Sequence, residues 1–544
     1  MEPRTLAAAG GPDLSGASNV PNTPGRPAAA ALPLVNPWIV AISVMLATFM
    51  EVLDTTVVNV SLPHIAGSLS SSVDEATWAL TSYLVANAIV LPMTGWLAGR
   101  FGRKRLLLLS VGGFTIASFL CGLAPTLPLL IFFRVVQGLT GGCLQPLSQA
   151  VLLETFPPES RGKAMAFWGL GIVVAPIIGP VMGGWLTDNT SWRWVFYINV
   201  PVGLLALLMI QLYLHDPSYL RKAREKIDYW GLGFLALGVG ALQILLDKGQ
   251  EDDWFSSNLI TTLGVVAVIG LIAFVVRELM TSAPIVDLRA LKNRTYATGV
   301  LLMTVMGFGL YGSLVMVPIF LQSLLRYPAY QAGFAMAPRG IGSFLAMPIV
   351  GLILNKVGAK RLLLAGFYLA ALTLFWHGTL SLDAGYWDIF WPQFIQGVSL
   401  GLLFVPLTAA AMSPISREKM GNATSIFNLM RNIGGSIGIA TATTLLARRQ
   451  QVHFSILGGH FDPYDPRSTA FLDGLKRAYM AAGADPVTAA QRAAAGAIGL
   501  VQRQAAMLSF VDVFRILAWS FVIVGPLVFL MKAPKKGGEA PMVH

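Results

Sequence analysis

Apolar residues in this chain neither alternate nor form single stripes. They run in blocks of about 20, the length at which an α-helix crosses about 30 Å of hydrocarbon. Fourteen blocks are read. They are Trp38–Leu62, Trp78–Leu97, Leu106–Leu123, Leu127–Leu147, Ala164–Leu186, Trp194–Tyr213 and Tyr229–Leu246. Then follow Leu259–Val276, Ala297–Leu321, Ala332–Leu354, Leu362–Leu380, Phe390–Ala411, Ser425–Leu446 and Phe510–Met531. Short segments rich in glycine, proline and basic residues separate them. The pattern predicts an all-α polytopic membrane protein with fourteen transmembrane helices.

Charge orients these spans. Loops on one side carry Arg100, Arg103, Lys104 and Arg105; Arg161 and Lys163; Arg221, Lys222, Arg224 and Lys226. The same side carries Arg289, Lys292 and Arg294; Lys356, Lys360 and Arg361; Arg417 and Lys419. The short loops of the other side hold only Arg193, Lys248 and Arg326. The positive-inside rule makes the rich side cytoplasmic, and an even span count puts both termini there.

The blocks repeat. Gly95-Trp-Leu-Ala-Gly-Arg-Phe-Gly102-Arg-Lys104-Arg105 matches Gly351-Leu-Ile-Leu-Asn-Lys-Val-Gly358-Ala-Lys360-Arg361 in constant register. Gln137-Gly138 is echoed by Gln396-Gly397, and Pro146 by Pro406. The predicted organisation is a disordered cytoplasmic tail over 1–36 and a six-helix half over 37–214. An inserted helix pair with flanking loops follows over 215–295, then a second six-helix half over 296–532 and a cytoplasmic tail over 533–544. Two parallel halves around a midplane site is a transporter arrangement. The second half contains a long outer loop, 447–509, which includes the turn-rich run Phe461-Asp-Pro-Tyr-Asp-Pro466. Its stretch Ala489–Gln504 could form an amphipathic helix. A loop this long either contacts something or is a tolerated insertion.

Composition agrees. Hydrophobic residues make up 55% of the 544 residues and charged ones 12%, against roughly 25% charged in soluble domains. Mean hydropathy is +0.65. Too few charges remain to coat a water-facing surface. The net charge of +11 sits in loops, where topology explains it, so no nucleic-acid partner is expected. Cys121 and Cys143 lie inside apolar blocks, which argues against a structural disulfide. The N-terminal stretch has no basic run leading into an apolar core, so no cleaved leader is expected. The histidines are scattered and no phosphate-binding Gly-x-x-x-x-Gly-Lys loop exists. Neither an enzyme nor an ATP-driven machine is indicated.

Ionisable residues inside spans are costly and mark function. Glu51 and Asp54 lie one turn apart on the first span, where two carboxylates in oil repel and one is expected to hold a proton reversibly. At 1.5 Å per residue, Glu51 and Arg134 both lie about 9 Å from the outer face. Arg134 could therefore hold a carboxylate ionised until a proton or a cationic substrate displaces it; a static ion pair fixing two helices is the alternative. Arg339 and Arg431 sit near the middle of their spans, as cavity groups or as packed, paired side chains. Asp512 and Arg515 read as a local salt bridge. Asn59, Gln137, Gln393 and Asn428 are the expected polar cavity lining. Pro176, Gly179, Pro180, Gly183 and Gly184 concentrate in the fifth span, as a hinge-like contact between the halves or as plain close packing. Gly95, Arg100, Gly102 and Arg103 sit in the second loop, for gating or for topology alone.

Taken together, these motifs resemble the fourteen-helix drug:proton antiporters (EmrB/QacA type) of the major facilitator superfamily. Leu53-Asp54-Thr-Thr-Val-Val-Asn59-Val-Ser-Leu-Pro63 is similar to the first-helix motif, Gly95–Arg105 to the loop motif, and Arg134-Val-Val-Gln137-Gly138 to the fourth-helix motif. The run Gly179-Pro180-Val-Met-Gly183-Gly184 resembles the exporter motif. Within the family, Trp192–Pro201, Asp253–Ser257, Trp391–Gly397 and the long last outer loop are similar to the EmrB branch. The resemblance implies the major facilitator fold and proton-coupled efflux of hydrophobic or amphipathic compounds across a bacterial inner membrane. It implies no cofactor beyond the proton gradient. It also implies an EmrA-like membrane-fusion adaptor in the periplasm and an outer-membrane channel as partners. A narrow exporter of a fatty acid, siderophore or metabolite is the alternative on the same fold. The chain departs from the motifs at Gly99, where an acid is usual, and at Glu51, an extra acid beside Asp54.

Overall fold

A computed structural model describes residues 36–216, 227–459 and 464–531. The expected tails, the basic run at 221–226 and the start of the 461–466 turn lie outside the described residues. Among the described residues every regular element is helical. The first half comprises α1 (Pro37–Ser68), α2 (Val73–Val90), α3 (Thr94–Phe101), α4 (Arg103–Leu123), α5 (Leu127–Gly141), α6 (Leu144–Thr155), α7 (Arg161–Asn189), α8 (Trp194–Tyr197) and α9 (Asn199–Tyr213). The inserted pair is α10 (Tyr229–Lys248) and α11 (Asn258–Met280). The remainder is α12 (Arg294–Ile319), α13 (Ala329–Val357), α14 (Ala359–His377), α15 (Tyr386–Met412), α16 (Met420–Gly458), α17 (Pro466–Ala481) and α18 (Pro486–Val524).

Apolar side chains face outward as well as inward. On α4, Leu109, Ile116, Phe119 and Leu123 form an exposed apolar stripe, while Ser110, Thr115 and Ser118 are buried. A bilayer is the solvent that stripe fits. Thirteen segments among the described residues are long and apolar enough to cross it. The expected thirteenth span, Ser425–Leu446, is helical within α16 but falls short of that apolarity. The reason is visible in its packing. It turns Thr424, Ser425, Asn428 and Arg431 inward, and its Gly434 and Gly438 press on the α12 backbone at Thr304 and Phe308. Small residues four apart permit that approach.

The stretch 447–509, expected as a loop with a helix at Ala489–Gln504, has that helix within α18 and is more helical around it than expected. It is helical through most of its described length: α16 runs on to Gly458, α17 follows, and α18 begins at Pro486 and continues without a break into the last span. Asp465 and Asp485 cap α17 and α18 by accepting backbone N–H bonds from Arg467 and from Val487 and Thr488. An N-cap carboxylate satisfies otherwise orphaned donors. Asp512 does not pair with Arg515; it meets His453 at 2.9 Å and Arg449 at 3.6 Å, both on α16. The two extended helices are thus tied side by side.

The repeat is expressed in the backbone. Gly102, between α3 and α4, has φ +86°, and Gly358, between α13 and α14, has φ +88°. Only glycine takes that conformation without strain, so the matched sequence positions make matched turns. The inserted helices meet where Gly238 faces Gly270, backbone against backbone. From there α10 reaches both halves: its Asp247 carboxylate accepts from the Thr81 hydroxyl of α2, and Gln243 Nε2 donates to Ser436 Oγ of α16 at 3.1 Å.

The halves meet along two seams. In one, α7 lies on α13, with Gly162 against Gly351 and Gly169 against Met347; beside it Trp168 stacks on Phe404 at 5.8 Å. In the other, a Cβ on Gly95 would lie 2.6 Å from the Asn422 nitrogen, and the Gly95 N–H donates to Ser425 Oγ at 3.2 Å.

Candidate functional site

Asp54 and Arg134 form a fully buried ion pair. Arg134 Nη1 donates to Asp54 Oδ2 at 2.6 Å, and neither side chain is exposed. Around them a closed network satisfies most remaining valences. Gln137 Nε2 and Asn199 Nδ2 donate to Asp54 Oδ1 at 3.0 and 2.8 Å. Arg134 Nη1 also donates to Gln137 Oε1 at 2.7 Å, and Nε to the Ala79 carbonyl at 2.9 Å. The guanidinium lies 4.2 Å over the Tyr83 ring. Nη2 is left without a partner. α1, α2, α5 and α9 each contribute, so any change in the Asp54 charge is felt by four helices at once.

Glu51 belongs to a different neighbourhood. A three-residue step rotates a helix side chain by about 60° from its starting direction, enough to change partners. Asn87 Nδ2 donates to Glu51 Oε1 at 2.9 Å, and Oε2 is buried without a partner. The expected clash of two carboxylates at one site therefore gives way to two separate sites. Gln145 and Arg431 stand near Glu51. Arg431 Nη2 donates to Gln145 Oε1, and Asn428 Nδ2 donates to Gln149 Oε1 at 2.6 Å. These bonds run from α16 to α6 and so cross between the halves.

Arg339, Gln393 and Gln396 gather in the second half. Arg339 Nη2 donates to Ser313 Oγ at 2.7 Å, and Gln396 Nε2 to the same oxygen at 3.3 Å. Arg339 Nε and Nη1, both polar atoms of Gln393, and Gln396 Oε1 are buried without partners. Asn59 joins none of these networks; it is exposed.

At the basic end, Arg103 pairs with Glu154, both nearly buried, and also reaches the Arg417 carbonyl of the other half at 3.5 Å. A cavity of about 180 Å3 lies beside them, lined by Arg103, Glu154, Leu214, His215 and Arg417, and does not reach Asp54. Gly99 leaves the usual acid missing, but Asp216 accepts from the Lys104 backbone N–H at 2.8 Å just beyond the Gly102 turn. Arg100 sits over Trp96 at 5.7 Å.

The proline–glycine run of α7 faces its own half. Gly179 has no room for a Cβ beside Thr56, and a Cβ on Gly183 would lie 2.8 Å from the Val57 carbonyl. Gly184 is looser, and Pro176 and Pro180 sit inside an unbroken helix. The expected contact between halves is instead an intimate α1–α7 contact next to Asp54. The contact with α13 uses other α7 residues, Gly162 and Gly169.

Asn199, Gln396, Asn87, Gln145, Gln149, Glu154 and Ser313 were not named as site candidates from sequence. Asn199 lies within the Trp192–Pro201 stretch and Gln396 within the repeat echo, so those two carried a signal. The others look like ordinary polar residues in apolar helices.

A helical membrane bundle of two equivalent halves, with a buried ion pair on its first and fourth spans, defines a secondary-transporter architecture. The chain belongs to the Major Facilitator Superfamily, whose family model matches residues 44–439. It is 43% identical to the multidrug export protein EmrB of Haemophilus influenzae over 435 residues, 80% of this chain and 85% of that protein. It is 39% identical to the protein of the same name from Escherichia coli K12 over 502 residues, 92% and 96% of the two chains. The crystal structure of the human organic anion transporter MFSD10 shares the fold, with a TM-score of 0.58 at 12% identity, over 89% of this chain and 99% of that one.

Proposed function

We propose that this protein exports hydrophobic and amphipathic compounds across a bacterial inner membrane in exchange for protons. Similarity to the two EmrB exporters over most of the chain supports the efflux reading. The buried Asp54–Arg134 pair carries the proton reading. A proton on Asp54 cancels the charge that holds Arg134, which then lacks a counter-ion in a low-dielectric interior. Breaking such a pair costs about 3–5 kcal/mol, enough to drive rearrangement of the helices that share the network. The energy source is then the proton gradient, with no cofactor.

The basic end faces the cytoplasm by the positive-inside rule, which puts both termini inside. The extended α16–α18 helices then project into the periplasm. In this reading they are the surface offered to an EmrA-like adaptor linked to an outer-membrane channel. The deciding experiment is transport of a drug panel in proteoliposomes under an imposed pH gradient. Uptake into inside-out vesicles that survives both Asp54→Asn and a protonophore would overturn the proposal.

A further inference from the structure

The two halves build the same corner from different residues. In the register of the Gln137-Gly138 and Gln396-Gly397 echo, Arg134 corresponds to Gln393 and Asp54 to Ser313. Packing confirms the match. Gly138 has no room for a Cβ against the Tyr83 carbonyl, and Gly397 has none against the Arg339 carbonyl. Arg339 therefore takes the place of Tyr83, on the second helix of its half. The first half sets its guanidinium beside a carboxylate. The second sets its guanidinium beside a hydroxyl, and none of the ion pairs among the described residues includes Arg339.

The result is a buried positive charge with donors to spare. Arg339 is 5% exposed and Gln393 is fully buried. Arg339 Nε and Nη1 and Gln393 Nε2 have no partner. Buried polar groups are nearly always satisfied, and an isolated buried charge is costlier still. Water would fill the hydrogen bonds but leave the charge. A two-oxygen anion supplies both, because the guanidinium fork matches a carboxylate bidentately.

We propose that Arg339, Gln393 and Gln396, with Ser313, form a binding site for a carboxylate-type anion in the C-terminal half. Its occupant is either the head group of an anionic amphipath in transit or a small free carboxylate. The first source rests on the efflux reading; the site itself does not.

The test is equilibrium binding of radiolabelled decanoate to the purified full-length protein in detergent, with no gradient imposed. Decan-1-ol and acetate serve as competitors. Decanoate binds the wild type and decan-1-ol at equal concentration does not displace it. Arg339→Gln weakens binding by about tenfold or more, and Arg339→Lys by less, since it keeps the charge and loses the fork. Ser313→Asp restores the missing carboxylate from within; it weakens decanoate binding similarly and raises the melting temperature. If Arg339→Gln fails to fold, judged by size-exclusion chromatography, Ser313→Asp carries the result. Displacement by acetate assigns the site to small carboxylates, and its failure assigns it to amphipath head groups. Wild-type affinity in both Arg339→Gln and Ser313→Asp, or equal displacement by decan-1-ol, overturns the site. Arg339-dependent binding in a protein with no proton-driven transport would sink the efflux reading and leave the site standing. The converse outcome would do the reverse.

Discussion

Asn428 on α16 donates to Gln149 on α6 at 2.6 Å, and both side chains are buried. That bond joins the two six-helix halves close to where Arg431 meets Gln145. Any motion that opens this seam must break it. Its strength therefore helps set how readily the halves part.

A double-mutant cycle measures that strength. Asn428→Ala and Gln149→Ala are expected to couple by about 0.6 kcal/mol, the average for hydrogen bonds between membrane helices, and by no more than about 1.7 kcal/mol. Reversible unfolding in detergent reads it. Additive effects would show that the bond does not hold the seam.

Asp54→Asn is expected to reduce pH-driven transport to background while substrate still binds. It also leaves Arg134 buried without its counter-charge, a loss of about 3 kcal/mol or more in stability. Arg134→Ala should fail in the same assay. Proteoliposome flux and thermal melting, measured on the same preparations, separate the two effects.

Gly95→Leu should wedge the basic end open, because a Cβ there already meets the Asn422 backbone at 2.6 Å. Ser425, whose hydroxyl accepts from Gly95, is fully buried. A cysteine placed at 425 should react severalfold faster with an aqueous maleimide in the Gly95→Leu background. Unchanged labelling would mean that the seam opens elsewhere.

Acid should release the anchor of the inserted pair. Asp228, just before α10, pairs with Arg277 at 2.8 Å, and that hydrogen bond holds its carboxyl below the ordinary range. A depressed folded-state value means the stabilisation is complete above the unfolded value, near ~3.9. It fades as pH falls further, through the folded value. The melting temperature of the wild type should therefore drop more steeply below about pH 4 than that of Asp228→Asn. Parallel curves would remove Asp228 from the account.

Sequence alone gave the bundle, because apolar length and loop charge respond to the bilayer and not to neighbouring helices. The blocks and the repeat were legible from spacing; depth brought Arg134 to the Glu51–Asp54 turn but matched it to Glu51, and the structure pairs it with Asp54 instead. The need for glycine at the loop turn was legible too, since Gly102 and Gly358 recur in register. Within 447–509 the helix at Ala489–Gln504 was legible, but the extension of α16 and the whole of α17 were not, because polar residues suit a helix in water as well as they suit a loop. The thirteenth span is equally hard to see, since a helix that turns its polar face inward lowers its own mean hydropathy.

Direction within a helix was decided only by tertiary structure. Glu51 and Asp54 share a turn, yet one faces Asn87 and the other Arg134 and Gln137. The α7 glycines were legible as a contact, but their partner proved to be α1 rather than the opposite half. Hydropathy records how deep a residue sits in the membrane; which neighbour it meets depends on rotations of a few tens of degrees, and only packing fixes those. The missing counter-charge of Arg339 is of that kind: it emerges once Ser313 is seen standing where the other half has Asp54.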